Sequence, residues 1–380
     1  MRPIVLYPSP VQLDGVSLQG NFLYRGFVEN GLSAQHCNYD SVMEKEWLYK
    51  SFKPDCAIGI GYWGNAPDLI FEPQENGIQP VPWLNADGWV SNYHDKLNEL
   101  PLMFTTSRWV KEIYNRDGVS NPNIFPMPIG IDTNEMYPID REDERVVEMR
   151  KLLDVPDNIK MISTVGGDIT SKGAQEVLKA LAIVDKEFKD WVYLGKSWVD
   201  GKPYYHRQAE NEIIRELGLD RKKIRFFGGA LSRNFMNVFL NATDVYAAPS
   251  RIEGFGMIQL EAMCAGRPVI AIDAGGCRDT VVHNETGYLC KVSEEIKLDE
   301  EWVYPHMGFA EKQIIRFDQP KTFAYRADVN DLAEYLLKLL TDDKQAAKMG
   351  KAARKRAEKE FDYRVVAKKM QKVIHDKLGL

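Results

Sequence analysis

Glu253 and Glu261 lie in the stretch with the most chemical potential: Ala248-Pro249-Ser250-Arg251-Ile252-Glu253-Gly254-Phe255-Gly256-Met257-Ile258-Gln259-Leu260-Glu261-Ala262. A strand reads up to Pro249, a turn carries Glu253 with two glycines, and a helix begins near Gly256. Glycines at a helix start let an anion or a sugar come close to backbone N–H groups that have no partner within the helix. Glu253 would stand at the mouth of such a pocket, with Glu261 a little over one turn into the helix. Two carboxylates on one side of a polyhydroxylated ligand make charge-assisted hydrogen bonds to its hydroxyls. By itself Glu261 reads equally well as a structural residue, because the helix dipole favours acids near its start.

The surrounding elements must hold that turn in place. Short β-branched runs alternate with longer amphipathic segments, the pattern of βα units on parallel sheets. Residues 4–7, 57–60, 81–84 and 102–105 read as strands, and 17–29 as a helix stopped by Asn30-Gly31. The rhythm lapses over 136–157, where two prolines and a run of charges predict a domain boundary. It resumes with strands at 160–165, 191–194, 224–227, 245–248 and 268–272 and a helix at 173–186. A final helix is predicted over 363–378, with Val366, Met370, Val373 and Ile374 on one face. Residues 291–322 show no period and are too long for a plain loop, since structureless stretches beyond ~12–15 residues are uncommon. They read as a cover over the functional cleft or as a subunit interface. With 380 residues the chain exceeds a single ordinary core. The expected division is 1–140, a linker at 141–158, 159–360, and a C-terminal helix at 361–380.

The motif resembles the donor-site signature of retaining glycosyltransferases of family 4, the glycogen-synthase-like group. Glu253 and Glu261 match its E-x7-E form, and Gly266-Arg267-Pro268-Val269-Ile270, Gly275-Gly276, Asp279 and Thr286-Gly287 continue it. The resemblance implies an α/β GT-B fold: two Rossmann-like parallel-sheet domains facing across a cleft, with the C-terminal helix packing back on the N-terminal domain. It implies that Glu253 contacts the donor sugar near the reacting centre and that Glu261 binds the ribose hydroxyls. Gly254, Phe255 and Gly256 would offer backbone N–H groups to the sugar and the diphosphate, while Gly275, Gly276 and Asp279 shape the pocket. In Val165-Gly166-Gly167-Asp168-Ile169-Thr170-Ser171-Lys172-Gly173, Lys172 matches a cation that faces the diphosphate, whereas Gly167 stands where the family has arginine. Gly15, before the first helix, matches a glycine-rich loop that approaches the diphosphate. Met127-Pro128-Ile129-Gly130-Ile131-Asp132 matches the end of the family's N-terminal domain, and the loop after Phe227-Gly228-Gly229 is the expected base-binding wall, with Gly229 a donor contact. Many relatives carry a histidine in the segment aligned with Trp83 to Gly88; here Asp87 is the candidate for contacting donor or acceptor, and His94 lies nearby.

The resemblance implies a hexosyltransferase that uses a UDP- or GDP-sugar, keeps the anomeric configuration and needs neither a cofactor nor a metal. No Asp-x-Asp or His/Asp cluster is present to recruit a metal. A glycan or small soluble hydroxyl acceptor is the expected partner. Two alternatives remain at this level. A non-catalytic sugar-nucleotide binder fits the altered Arg and His positions. A nicotinamide-dependent oxidoreductase is disfavoured, because no G-x-G-x-x-G follows the first strand.

Composition agrees with a soluble globular chain: 44% hydrophobic, 27% charged and a net charge of -6, which argues against a nucleic-acid binder. The five cysteines are scattered, and neither a disulfide framework nor a zinc site follows, so a reducing cytoplasm is expected. The basic stretch from Lys344 onward reads as a solvated helix face, with attraction to an anionic membrane as the alternative.

Overall fold

A computed structural model describes residues 1–197 and 203–380. The chain folds as two compact units. One comprises Met1–Asp132, Lys297–Phe323 and Glu360–Leu380; the other comprises Thr133–Ile296 and Ala324–Lys359.

In the first unit, strands β1 (Pro3–Leu6), β2 (Gln35–Cys37), β3 (Cys56–Tyr62), β4 (Gln79–Pro80), β5 (Trp83–Asn85), β6 (Met103–Thr105) and β7 (Ile124–Pro126) form one parallel sheet. Its order is β2-β1-β3-β5-β6-β7, with β4 beside β3. Every residue of β1 is buried, as a central parallel strand covered on both faces requires. The helix Gly15–Glu29 follows β1 and ends at Asn30-Gly31, where Gly31 takes a φ of 87° and the Leu32 N–H reaches back to the Phe27 carbonyl. The last helix, Tyr363–Leu378, packs on it: Tyr363 stacks near Phe22 and donates to Glu29 at 2.6 Å. The C-terminal helix therefore returns to the N-terminal unit, as the resemblance implies.

The second unit holds β8 (Lys160–Val165), β9 (Trp191–Ser197), β10 (Ile224–Gly228), β11 (Val245–Ala247), β12 (Val269–Ile272) and β13 (Gly287–Cys290). They pair in parallel in the order β10-β9-β8-β11-β12-β13. That is the doubly wound arrangement, in which the order of strand addition reverses between β8 and β11; ligands of such sheets bind outside the carboxyl ends of the strands at this switch point.

Two features differ from the sequence-based expectation. The change of unit falls at Asp132/Thr133 rather than near 140. Asn237 and Asn241 explain it, because their side chains accept from the Tyr137 and Ile139 N–H groups and stitch this segment to the second unit. The aperiodic stretch 291–322 forms a two-stranded ribbon, β14 (Val292–Val303) with β15 (Gln313–Ala327). Its far part belongs to the first unit, where Phe317 lies against Trp89 and Lys321 pairs with Asp117 at 3.1 Å.

Two arginines of the basic C-terminal stretch are internal braces: Arg354 donates to the Thr133, Met136 and Cys264 carbonyls, and Arg356 to those of Asp279 and Thr280. All five cysteines are buried thiols. Among the described residues, no helix is long and apolar enough to cross a membrane.

Candidate active site

Lys172 follows β8 and Glu253 follows β11, so the two residues flank the switch point. Their side chains meet: the Lys172 ammonium donates to Glu253 Oε2 at 2.6 Å, with 23% and 17% of the side chains exposed. The loops that carry them are sewn together. The Arg251 N–H donates to the Ser171 carbonyl at 2.8 Å, and the Arg251 guanidinium reaches Gln175 and the buried Glu176 at 2.8 Å. Glu176 also accepts from Arg326 at 2.8 Å. Gln259 ties the end of β11 to the next helix by donating to the Ala248 carbonyl at 3.0 Å.

Two helices start here, Ala174–Val184 and Met257–Cys264, and both are preceded by a glycine in the left-handed region, Gly173 at φ 82° and Gly256 at φ 100°. Neither has a side-chain cap, whereas Asp14, Asp143, Ser232, Asp328, Asp342 and Asp362 each cap the helix they precede. Two uncapped helix starts present partial positive charge at the end of the sheet where an anion would sit. Gly254, Phe255 and Gly256 are buried in the turn between Glu253 and the second helix.

Glu261 is only 2% exposed, and its Oε1 accepts from Arg233 Nη1 at 2.6 Å. Arg233 also donates to Glu135 at 2.8 Å. Among the described residues Glu261 Oε2 has no hydrogen-bond donor, which leaves it able to accept from a ligand hydroxyl. Arg233, Arg251 and Glu176 were not singled out from sequence. Their partners lie tens of residues away, so no local pattern could have marked them.

Gly275 and Gly276 act as the floor of the Glu253 turn. The Gly276 N–H donates to the Glu253 carbonyl at 2.7 Å, and a Cβ at Gly276 would sit 2.3 Å from the Gly254 carbonyl oxygen. Both contacts are with backbone, which has no room to yield. Gly276→Ala is therefore expected to displace the Glu253 turn and lower turnover by about 100-fold, the scale of an angstrom-size misplacement at a reacting centre. Steady-state rates, with circular dichroism confirming an intact fold, check this.

The remaining sequence candidates are placed as follows. Gly229 follows β10 at φ 122° with open space around its Cα, and its N–H donates to the Ser197 carbonyl at 3.3 Å. Gly15 and Asp87 belong to the first unit. Gly15 begins the first helix, but the Asp14 carboxylate already accepts from the Val16 and Ser17 N–H groups there. Asp87 is exposed in the turn after β5, before Gly88 at φ 89°. His94 starts the short helix His94–Glu99. Among the described residues no group of three or more His, Cys, Asp or Glu is placed to hold a metal ion. A cavity of about 460 Å³ opens at the opposite, amino-terminal end of the second sheet, by Lys160 and Pro268. It contains none of the candidates, and Arg141, Lys160 and Arg354 there pair with Asp244, Asp343 and Glu358.

Comparison with solved structures decides the fold. Over 99% of both chains, the protein superposes on sucrose-phosphate synthase from Thermosynechococcus elongatus with a TM-score of 0.72 at 17% identity. On Anabaena HepE in complex with UDP and glucose, the TM-score is 0.70 at 15% identity, covering 99% of this chain and all of that one. The chain has the GT-B fold. Within this GT-B chain, residues 147–301 match the family model described as Glycosyl transferases group 1. The match contains Lys172, Arg233, Glu253 and Glu261, and leaves Gly15 and Asp87 outside. A D-inositol 3-phosphate glycosyltransferase of Corynebacterium aurimucosum is 26% identical over 79% of this chain and 70% of its own. A GDP-mannose-dependent monoacylated alpha-(1-6)-phosphatidylinositol monomannoside mannosyltransferase of Corynebacterium glutamicum is 25% identical over 77% of this chain and 67% of its own. The family match and these relatives agree: the GT-B chain is similar to group 1 glycosyltransferases.

Proposed function

We propose that this protein is a retaining glycosyltransferase of the family 4 type, moving a hexose from a nucleoside-diphosphate sugar to a hydroxyl acceptor without a metal. The observation that carries this reading is the switch point of the second sheet. There, two uncapped helix starts and Lys172 converge beside Glu253, with Glu261 buried nearby.

Each part has a role in the transfer. The acceptor hydroxyl bonds to the anomeric carbon while the bond from that carbon to the diphosphate breaks, on the same face. The hydroxyl proton passes to the departing phosphate oxygen. Charge grows on that phosphate, and Lys172 and the helix starts stabilise it through positions fixed before the reaction begins. Glu253 holds the Lys172 ammonium and accepts from the sugar hydroxyls. Glu261 binds the ribose through Oε2, and Gly229 borders the base. Gly15 is a further donor contact in this reading, and Asp87 a contact to donor or acceptor. The lysines of the basic C-terminal helices form a solvated face, and the reaction takes place in the cytoplasm.

A relative named for GDP-mannose and a structural neighbour crystallised with UDP set the panel to test. Thermal unfolding with UDP-, GDP- and ADP-sugars is expected to show one base raising the midpoint, by about 2.7 kcal/mol of added stability at a concentration 100 times the dissociation constant. Release of free nucleoside diphosphate from that donor, by transfer or slow hydrolysis, separates an enzyme from a binder. If no nucleotide sugar shifts the midpoint, the reading fails.

A further inference from the structure

Lys196, at the carboxyl end of β9, has no role in the assignments above. It is only 5% exposed, and among the described residues no carboxylate lies within ion-pair distance of its ammonium. Alternation along β9 fixes the face it occupies. Tyr193 and Gly195 share the face of Phe226, while Lys196 lies opposite Phe227, whose ring packs on Phe239 of the helix Arg233–Ala242. The first residue of that helix, Arg233, grips Glu261. Glu261 is also the charge that acts on Lys196: burial holds the ammonium below its ordinary value, and Glu261 offsets part of that. Lys196 thus sits at the ligand-binding end of the sheet, one strand from the switch point. It is cross-strand to Val165 on one side, where the Gly166 N–H donates to its carbonyl at 3.0 Å, and to Phe227 on the other.

A lysine that is only 5% exposed and meets no carboxylate of the described residues stands where a bound anion would match its charge. The other two cations here are already matched, Lys172 by Glu253 and Arg233 by Glu261 and Glu135. We infer that Lys196 is a contact residue for the donor nucleotide and binds the phosphate next to the ribose. The order of the strands gives the reason. The donor runs from Glu253 after β11 and Lys172 after β8 toward the base wall after β10, and β9 lies between. Next to a ribose held by Glu261, the anionic group within reach of β9 is the first phosphate, while Lys172 meets the second. This rests on the donor reading above and divides the diphosphate between two lysines on neighbouring loops.

The test compares nucleosides with nucleoside monophosphates, which differ only in that first phosphate. With the full chain, titration calorimetry measures uridine against UMP and guanosine against GMP, for whichever base the donor panel selects. Wild type is expected to bind the monophosphate at least about tenfold more tightly, the scale of one charge-assisted hydrogen bond. Lys196→Met is expected to shrink that ratio to within about threefold, whereas Lys196→Arg, which keeps the charge, retains most of it. Lys172→Met should leave the ratio alone and reduce the gain from monophosphate to diphosphate instead. The ligand-free protein supplies a second readout. A structural ion pair with Glu261 would make Lys196→Met unfold at a lower temperature, while a ligand-binding lysine leaves the midpoint unchanged or higher. An unchanged ratio in Lys196→Met with normal nucleotide binding would overturn this inference alone. Failure of wild type to bind any nucleotide would overturn the donor reading and this inference together.

Discussion

Glu253→Ala is expected to lower kcat by about 10²–10³-fold, and Lys172→Ala by a similar factor, the range seen when one preorganised electrostatic contact to a transition state is removed. The double variant is expected to lose little more than either single. The two side chains meet at 2.6 Å between loops that are bonded to each other through Arg251 and Ser171, so they act as one device. Without Glu253 the ammonium keeps its charge but loses the partner that aims it. Without Lys172 the carboxylate stays beside a developing phosphate anion and repels it. Groups that act as a unit show strongly non-additive losses, and that non-additivity is the signature to measure. Both singles should fold, because the two loops stay joined by the Arg251 N–H to the Ser171 carbonyl and by Arg251 to Gln175 and Glu176, and circular dichroism checks this. Single-turnover rates at saturating donor, with the dissociation constant measured separately, isolate the chemical step. Near-wild-type rates in either single would remove that residue from the mechanism, and a double variant that multiplies the two losses would show that the two do not act as one device.

Local signals account for what was legible in the sequence. The strand at 245–248 announces itself because both faces of a central parallel strand are covered, so apolar residues run on without a break. Glu253 and Glu261 are readable because one turn and the start of one helix carry both, with Gly254 and Gly256 marking the turn. Arg233, Arg251 and Glu176 answer to partners brought near only by the folded sheet. Lys196 was hidden for another reason: a lysine at the end of a strand ordinarily reaches solvent, and only the packing over β9 buries this one. The ribbon β14–β15 escaped because it lies exposed over most of its length. On β14, Glu294 and Glu300 interrupt the face that carries Val292, Ile296, Leu298 and Trp302, so the apolar alternation is broken. The unit boundary slipped by several residues because Asn237 and Asn241, far along the chain, hold the segment after Asp132.

Glu261→Ala is expected to damage stability and donor recognition together, and the two losses separate by experiment. The carboxylate is 2% exposed and takes a 2.6 Å bond from Arg233, whose own side chain is 18% exposed. Removing one partner of such a pair costs about 3–5 kcal/mol in fully buried cases. Arg233 keeps Glu135, so the lower end of that range applies, about 3 kcal/mol. Glu135→Ala, on the more exposed side of the same arginine, should cost no more than about 1 kcal/mol. The recognition loss falls on the ribose. If Oε2 accepts from ribose hydroxyls, wild type should prefer the ribonucleoside diphosphate to its 2′-deoxy analogue by about tenfold, the worth of a hydrogen bond to a charged group. Glu261→Ala should bind the two alike. Glu261→Gln keeps the shape and an acceptor oxygen but not the charge, so it should recover part of the stability and little of the preference. A Glu261→Ala protein that unfolds at the wild-type temperature would show that the Arg233 pair carries no weight in the fold. One that still prefers the ribonucleotide would show that another group reads the sugar, and the most informative carboxylate in the sequence would then be a structural one.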